Sequence, residues 1–325
     1  MSTITKNINE AIIELNAGNL VAIPTETVYG LAGNAEDEEA ILKIFALKNR
    51  PINHPLIMHV AKDCDLTRWV TSIPPYAQKL IDTFWPGPLT VVLNCQPNAV
   101  NPLITGGQNT VAIRCPKHPI AQSLMQALNF PLVAPSANPF GKISPTTALH
   151  VQQSFSQQRL LILDGGRCEI GIESTIIDAT SPTHYQILRH GLIDEQSIQT
   201  TIAIETAKSE SNIRVSGRLL THYQPEKPLY CFRTAKELNR LLDLYPNAYI
   251  FSFNENSNLD KTHYYQFSLS PSEVAYELYY QLRNADNSPA STILVELPPS
   301  GRSWAGITER LLKMVNHSAN GLKIE

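Results

Sequence analysis

The sequence lacks the short motifs that mark the commonest nucleotide-binding and hydrolytic sites. It contains neither Gly-x-x-x-x-Gly-Lys-Ser/Thr nor Gly-x-Gly-x-x-Gly, which excludes a P-loop and a Rossmann fingerprint. It also contains no Gly-x-Ser-x-Gly elbow and no His-Glu-x-x-His pair. Any nucleotide that this chain binds must therefore be held by separate side chains from several elements.

Cysteine is scarce, with five among 325 residues and none in a Cys-x-x-Cys pair. This excludes a disulfide framework and the commonest zinc patterns, and we expect small buried thiols in a reducing compartment. The first residues are polar, without a signal-peptide core, and no apolar run approaches the roughly 20 residues that cross a bilayer. A cytoplasmic protein without membrane contact is expected.

Charge is also sparse, since charged residues make up 17% of the chain and the net charge is −3. With 43% hydrophobic residues, the composition predicts a packed globular protein rather than a disordered one. The weak negative charge argues against a protein that coats nucleic acid or anionic membranes through bulk electrostatics.

The apolar periodicity predicts two folded units joined by a linker. The first, 1–204, has more strands than helices in irregular alternation, which indicates an α/β protein of the α+β type with a mixed sheet. Residues 205–228 are rich in Ser, Gly, Pro and charge, and they are predicted to form the linker. Residues 229–325 are predicted to alternate as βαβαβα, which is typical of a small parallel, Rossmann-like domain.

Hydrogen-bonding side chains recur where predicted strands and helices stop. The stretch LVAIPTETVYGLAG ends a strand in such groups, and its glycines are expected to turn the backbone closely past a ligand. Lys48 and Arg50 end a predicted helix before Pro51. Because Pro51 forces the chain to extend, the charged groups of both side chains are expected to reach one site. Alternatively, they only complement the helix dipole. Arg114 ends a strand and offers a rigid fork to a carboxylate or phosphate, or else forms a surface salt bridge.

The stretch APSANPFGKISPT places small polar groups after a further strand. Ser136 and Asn138 suit a phosphate or ribose, whereas Ser144 is equally explained as a helix N-cap. His59 interrupts an apolar strand and is by default a core histidine, with a catalytic base as the alternative. Arg189 places another guanidinium at a strand end. Sites in α/β sheets form at strand ends, so the repeated occurrence of polar groups there is stronger evidence for a site than any single residue.

Several segments, taken in order, indicate a known family. PTETVYGL, KNRP followed by PLIMH, TVAIRCP, APSAN, GKISPT, ESTIID and LRHG occur between residues 23 and 191. The chain resembles the YrdC-like threonylcarbamoyl-AMP synthase family, and GRLLTHYQP with the terminal α/β unit resembles its long, two-domain form. The resemblance implies a twisted mixed sheet with an open cleft. It also implies that L-threonine, bicarbonate and ATP, with Mg²⁺, give L-threonylcarbamoyl-AMP and pyrophosphate.

The resemblance also implies roles for residues in the matching motifs. The family's Lys-x-Arg and Ser-x-Asn signatures correspond to the catalytic set Lys48, Arg50, Ser136 and Asn138. Threonine would contact Thr27, His59, Arg114, Ala134 and Ser174. ATP would contact Arg50, His54, Thr110, Ser136, Ser144, Arg189, His222 and Tyr223. His54 stands where the family usually has asparagine. The resemblance assigns no protein side chain to a metal. It also implies that the linker folds over ATP as a lid.

Other functions stay open from the sequence. A concave basic cleft could accept double-stranded RNA, although the nearly neutral charge and the lack of interleaved aromatics argue against more than a weak RNA contact. A related carbamoyl-adenylate-forming enzyme of hydrogenase maturation would carry Cys-x-x-Cys motifs and an acylphosphatase-like segment, which are absent. The resemblance implies a downstream tRNA threonylcarbamoyl transferase complex as partner. Since the C-terminal domain shows no polar cluster, we expect it to be only an interaction or regulatory module.

Overall fold

The computed structural model describes residues 1–204, 206–207, 211–217, 222–254 and 263–315. The strands of its first part are β1 (Thr3–Thr5), β2 (Val21–Ile23), β3 (Gly30–Asn34), β4 (Ile57–His59), β5 (Leu89–Asn94), β6 (Thr110–Arg114), β7 (Leu132–Val133), β8 (Leu161–Leu163), β9 (Thr175–Asp178) and β10 (Gln186–Arg189). The helices there are α1 (Ile8–Asn16), α2 (Glu38–Lys48), α3 (Pro75–Phe84), α4 (Pro102–Thr105), α5 (Pro119–Ala127), α6 (Ala148–Ser154) and α7 (Glu195–Thr201).

These strands form one mixed sheet in the order β1-β8-β2-β3-β7-β4-β6-β5-β9-β10. Strand β8 runs parallel to β1 and β2, β4 runs parallel to β6, and β5 runs parallel to β9, while the other neighbours are antiparallel. The mixed sheet predicted from the sequence is confirmed. Because β4 and β6 are parallel and in register, their last residues, His59 and Arg114, lie side by side.

Strand β3 differs from the sequence prediction, which expected its glycines to turn the backbone. Gly30 lies on an extended strand paired with β2 and β7. A Cβ on Gly30 would lie 3.0 Å from the Cβ of Ala134, so glycine lets this strand approach the neighbouring loop. The missing side chain therefore serves close backbone packing rather than a turn.

The second part of the chain forms a separate four-stranded parallel sheet in the order β11-β14-β12-β13. Its strands are β11 (Leu229–Phe232), β12 (Ala248–Ser252), β13 (Tyr264–Gln266) and β14 (Thr292–Glu296), and its helices are α8 (Ala235–Leu244), α9 (Pro271–Asn287) and α10 (Ala305–Met314). The predicted parallel βαβαβα unit is confirmed, with β13 as an additional edge strand. Three residues are too short for an alternating pattern to reveal β13.

The two parts pack against each other through a shared apolar cluster. Val28, Ile143 and Ile172 of the first part lie in one buried cluster with residues of α9 and α10. Helix α10 approaches so closely that a Cβ on Gly306 would lie 2.8 Å from the carbonyl oxygen of Gly191. The C-terminal part is therefore built against the first part, while its expected role as an interaction or regulatory module stays a prediction. The domain boundaries themselves stay predictions.

Two further points concern the described ranges. None of their helices combines the length and the apolar character of a membrane-spanning segment. Among the cysteines, Cys115 and Cys168 are buried as expected, whereas Cys64 is exposed. That residue follows β4 in a surface turn, so the expectation of uniformly buried thiols is wrong for it.

Candidate active site

The segment after β2 forms a compact turn held by its own hydroxyl groups. The Thr25 hydroxyl donates to the carbonyl oxygen of Val28 at 2.6 Å and accepts from the backbone N–H of Thr27 at 3.2 Å. The hydroxyl oxygens of Thr25 and Thr27 are 2.9 Å apart. Because the hydrogen of Thr25 is committed to Val28, Thr27 donates to Thr25. The oxygen of Thr27 then presents its lone pairs as a hydrogen-bond acceptor.

Arg114, at the end of β6, forms a buried ion pair with Glu26 of that turn. Its Nη2 lies 2.7 Å from Oε1 of Glu26, and its Nε donates to the Gly87 carbonyl oxygen at 3.3 Å. The second carboxylate oxygen of Glu26 accepts the backbone N–H of Lys117 at 3.0 Å. The salt bridge predicted as the alternative for Arg114 is thus present, but it is buried. It holds the guanidinium in one orientation at the edge of the site.

His59 lies beside Arg114 and is buried. Its Nδ1 is 3.1 Å from the carbonyl oxygen of Ile57, so Nδ1 carries the hydrogen and Nε2 is the acceptor. Burial, together with the nearby Arg114 charge, lowers the pKa of His59 to about 3. The imidazole is therefore neutral near pH 7 and suits hydrogen bonding better than acid–base catalysis.

Lys48 and Arg50 diverge at the end of α2 because Asn49 adopts the left-handed conformation, with φ of 50°. The ammonium of Lys48 donates to the carbonyl oxygens of Ser136 and Asn138, at 2.5 Å each. Nη2 of Arg50 donates to the Pro55 carbonyl oxygen at 2.9 Å. Both side chains are buried, so the alternative of solvated residues at a helix end is wrong.

Burial sets the electrostatics of this cationic pair. It lowers the pKa of Lys48 well below its usual value, with a further lowering from the Arg50 charge. Burial likewise lowers the pKa of Arg50 to about 10, and repulsion from Arg189 adds to the effect. Lys48, Arg50 and Arg189 are thus three buried cations close to one another. They favour an anionic ligand, since an anion would offset their mutual repulsion.

The loop after β7 carries the Ser-x-Asn segment. The backbone N–H of Ala137 donates to the Tyr29 carbonyl oxygen at 2.8 Å, which fixes the loop against β3. The amide of Asn138 donates at 2.8 Å to the carbonyl oxygens of Pro139 and Lys142, while its Oδ1 is buried without a protein partner. A buried acceptor left unpaired is destabilising unless a ligand or water donates to it.

Arg189, at the end of β10, is held against the segment before β9. Its Nη2 donates to the Ser174 carbonyl and hydroxyl oxygens at 3.0 and 3.1 Å, and the hydroxyl oxygens of Ser174 and Thr90 are 2.7 Å apart. Nη1 of Arg189 donates to the carbonyl oxygen of Ser216 in the linker at 3.1 Å. Ser174 is therefore buried within a hydrogen-bond network.

Ser144 does not cap a helix, so that alternative is wrong. Thr147 is the N-cap of α6 and accepts the backbone N–H of His150. The hydroxyl of Ser144 instead donates to Oε1 of Glu173 at 2.5 Å. Glu173 was not among the residues predicted from the sequence, because its partners are far away along the chain.

Described residues of the linker cover the site, and we call residues 216–217 and 222–223 the strap. The His222 backbone N–H donates to the Lys313 carbonyl oxygen at 3.0 Å, and the Lys313 ammonium donates to the Gly217 carbonyl oxygen at 2.5 Å. Nδ1 of His222 and the hydroxyl of Tyr223 are buried without protein partners. Residues 205, 208–210 and 218–221 of the predicted lid lie outside the described residues. The sequence predicts an open cleft, and here the strap covers it.

Under the strap lies a cavity of about 40 Å³. Its lining contains all five residues assigned to threonine, which are Thr27, His59, Arg114, Ala134 and Ser174. It also contains Ser136, Arg189, His222 and Tyr223 from the catalytic and ATP sets. On this measure one water molecule needs about 10–15 Å³, so the cavity has room for a few waters and is much smaller than a nucleotide.

The other assigned residues do not line this cavity. Lys48, Arg50 and Ser144 are buried nearby. His54 packs edge-on against Phe140, with ring centroids 5.2 Å apart, and Thr110 pairs with Asn94 at the start of β6. A larger open groove of about 680 Å³ lies beside α1, α2 and β8, and it includes none of the assigned residues.

Two family models and several known proteins match this chain over most of its length. The Sua5–YciO–YrdC family, described as telomere recombination, matches residues 14–191, and the C-terminal domain family of threonylcarbamoyl-AMP synthase matches residues 188–314. The chain is 34% identical to the threonylcarbamoyl-AMP synthase of Bacillus subtilis, covering 96% of this chain and 94% of the relative. It is 36% identical to that of Pyrococcus abyssi, covering 90% and 92%.

The solved structure of P. abyssi Sua5 complexed with L-threonine is similar to this chain, with a TM-score of 0.83 and 33% identity over 97% of this chain and 98% of that one. A P. abyssi Sua5 in which one histidine and the tyrosine after it are both alanine gives a TM-score of 0.84 at 31% identity, covering 97% of each chain.

Proposed function

The chain belongs to the threonylcarbamoyl-AMP synthase family, and we propose that the cavity under the strap is where it activates L-threonine with ATP. One observation carries the assignment of this site. Five residues from separate segments of the sequence, each assigned to threonine by resemblance, line the same cavity, and Arg189 lines it with them. The reaction converts L-threonine, bicarbonate and ATP into L-threonylcarbamoyladenylate, pyrophosphate and water.

The chemistry has two steps, both limited by positioning. The threonine amine attacks bicarbonate carbon, and loss of water gives a carbamate. A carbamate oxygen then attacks the α-phosphorus of ATP, and the bond to the bridging oxygen breaks to release pyrophosphate. Because carbamate and triphosphate are both anions, the protein must hold them together and offset their repulsion.

The threonine end of the site is formed by Arg114, Thr27 and His59. The guanidinium of Arg114, fixed on one side by Glu26, faces the threonine carboxylate with its remaining donors. Thr27 and the neutral His59 present acceptors for the threonine hydroxyl. A site built to hydrogen-bond a hydroxyl rejects an isosteric analogue without one much better than an apolar pocket does.

The phosphate end is formed by Arg189, Arg50 and Lys48. The Ser216 carbonyl oxygen now accepts from Arg189, and two loop carbonyl oxygens accept from Lys48. Phosphate oxygens are stronger acceptors because they are charged. We therefore propose that ATP displaces Ser216 from Arg189 and that the strap then closes over the nucleotide. Closure excludes water, in which the carbamate would decompose.

Mg²⁺ enters this scheme as part of the substrate, MgATP. The described residues contain no group of three or more His, Cys, Asp or Glu side chains able to hold a metal ion. A triphosphate with water molecules supplies oxygen ligands of the kind that Mg²⁺ prefers. No step above depends on a protein-bound metal, and the downstream transferase complex would receive the adenylate.

The decisive experiment incubates the protein with ATP, Mg²⁺, labelled L-threonine and bicarbonate, and detects threonylcarbamoyladenylate by mass spectrometry together with pyrophosphate. Omission of threonine or bicarbonate should abolish both products. L-valine, isosteric with threonine, should be used roughly 10⁴-fold less efficiently. Salt-dependent RNA binding without pyrophosphate release would contradict the proposal and favour an RNA-binding module.

The residue assignments need their own variants. Thr27→Val keeps the shape of the side chain and should raise the KM for threonine while leaving the KM for ATP near that of the wild type. Thr71→Val is the matched control, because Thr71 is exposed, has no assigned role and does not line the described cavity. If both variants changed the threonine KM equally, the assignment of Thr27 would be wrong.

A further inference from the structure

Arg310 belongs to α10 of the C-terminal part, yet its guanidinium ends against the candidate active site. The side chain is fully buried. Its Nε donates to Oε2 of Glu173 at 2.9 Å, and its Nη1 donates to the His190 carbonyl oxygen at 2.6 Å. The guanidinium carbon also lies 5.3 Å from the ring centroid of Tyr223 in the strap. One side chain thus contacts the cavity wall and its cover.

Glu173 is the residue through which Arg310 reaches the site. It lines the cavity, and its Oε1 accepts the Ser144 hydroxyl at 2.5 Å. Its Oε2 accepts both Arg310 and the hydroxyl of Tyr279 at 2.9 Å. Three donor groups, those of Ser144, Tyr279 and Arg310, are therefore held in place by one carboxylate.

The charge of Glu173 depends on its partners. Burial by itself raises the pKa of this carboxyl, but the charges of Arg310 and Arg189 and the hydrogen bonds outweigh burial, so the pKa is lowered to about 2. An ionised carboxylate only accepts hydrogen bonds. The hydrogen of Ser144 must then point at Glu173, and the Ser144 oxygen can offer only lone pairs to a ligand.

This orientation restricts what Ser144 can bind. A phosphate oxygen is an acceptor and gains nothing from a hydroxyl whose hydrogen is already committed. A ribose hydroxyl or the adenine amino group is a donor and matches the free lone pairs. Glu173 therefore leaves Ser144 suited to donor groups such as those of the nucleoside portion of ATP, and not to the phosphate oxygens.

We propose that Arg310 is a positioning residue of the ATP site, which keeps Glu173 charged and thereby orients Ser144 and seats Tyr223 of the strap. The C-terminal part then completes the site instead of only flanking it. The inference rests on the proposed function, because it assumes that the nucleotide occupies this cavity.

The position of α10 against the first part of the chain does not depend on Arg310 alone. Gly306 contacts Gly191 closely, and the apolar cluster shared by both parts contains Ile307 and Leu311 of the same helix. Apolar replacement of a complete buried ion pair is often tolerated, whereas removal of one partner leaves an unpaired charge. Separate and joint replacement of Arg310 and Glu173 can therefore separate positioning from folding.

The groups that face Glu173 from each packed element must be considered in any pH experiment. They are Arg310 and Glu309 of α10, Arg189 of β10, Tyr279 of α9, and His222 and Tyr223 of the strap. Burial lowers the pKa of His222 to about 3, so its imidazole does not titrate between pH 6 and 8. A titration that appears in Arg310→Met and is absent from the double variant with Glu173→Gln therefore belongs to Glu173.

The test compares Arg310→Met, Glu173→Gln and the double variant with the wild type. The Kd for MgATP is measured by calorimetry at pH 6, 7 and 8, without threonine. Arg310→Met should raise the Kd about 10-fold at pH 7, as expected for loss of one oriented hydrogen bond to the nucleotide. Binding should weaken further at pH 6, as Glu173 takes up a proton. The double variant should bind equally weakly at all three pH values.

Wild-type affinity in Arg310→Met at every pH, or the same pH profile in Arg310→Met and the double variant, would overturn the proposal. If Arg310→Met does not fold, the double variant decides alone, and wild-type affinity there would refute the positioning role. Arg302→Met is the control, because Arg302 is exposed and lies on the same part of the chain. Failure of the wild type to make the adenylate would defeat the proposed function but leave the Kd comparison interpretable.

Discussion

Replacement of Glu26 by glutamine should destabilise the protein far more than replacement of a surface carboxylate in an equally short ion pair. Glu26 and Arg114 have side chains 2% and 5% exposed, with 2.7 Å between the paired atoms. Glutamine keeps the shape but removes the charge, so the guanidinium stays buried without a counter-charge. Removing one partner of a buried pair costs about 3–5 kcal/mol in the free energy of unfolding.

The matched control is Glu36→Gln. Glu36 and Arg68 pair at 2.6 Å, but their side chains are 38% and 57% exposed. An exposed pair contributes about 0–1 kcal/mol, so this variant should unfold nearly as the wild type does. Urea titrations give both free energies, and thermal melting should show a fall of roughly 5–15 °C for Glu26→Gln alone. Equal destabilisation by the two substitutions would refute the reasoning from burial.

Three more predictions address catalysis, the strap and pH. Lys48→Met should abolish adenylate formation with an unchanged circular dichroism spectrum, whereas Lys43→Met on the exposed face of the same helix should stay active. Gly217→Ala should speed proteolysis of the linker, because its φ is +84° and a Cβ would lie 2.3 Å from the Tyr223 hydroxyl; Gly107→Ala, with a φ of +77° and open space, should leave the linker resistant. Burial lowers to about 3 the pKa values of His59, His150 and His222. The unfolded chain binds protons at these histidines below about pH 6.5, whereas the folded chain does not. The free energy of unfolding should therefore decrease as the pH is lowered below 6.5, by up to about 1.4 kcal/mol per pH unit for each histidine. Urea midpoints that do not change between pH 7.5 and 5 would contradict this.

The sequence predicted best where local signals and tertiary structure agree. Helix α8 belongs to the predicted βαβαβα unit, and it begins where Thr234 and Glu237 form a capping box that the sequence displays directly. Strand β3 was missed for the opposite reason. Its segment GLAGN has poor strand propensity, and the strand exists because β2 and β7 pair with it on both sides.

The residues of the site also divide into those that the sequence predicted and those that it did not. Motif order and resemblance named nine of the residues that line the cavity, but they did not reveal the carboxylates that contact Arg114 and Arg310. Glu26 lies 88 residues from Arg114, and Glu173 lies 137 residues from Arg310. Such pairs leave no periodic pattern in a single sequence, because only the folded chain brings the partners together.

The long separation between Glu173 and Arg310 also has a consequence for the order in which the protein is made. The ribosome adds Arg310 137 residues after Glu173, which takes roughly 7–27 s at typical rates of synthesis. During that interval the emerging N-terminal part can form its sheet, but Glu173 has not yet met its C-terminal counter-charge. In the proposed site, the nascent chain therefore lacks the counter-charge that holds Glu173 and orients Ser144 until the last helix has been delivered.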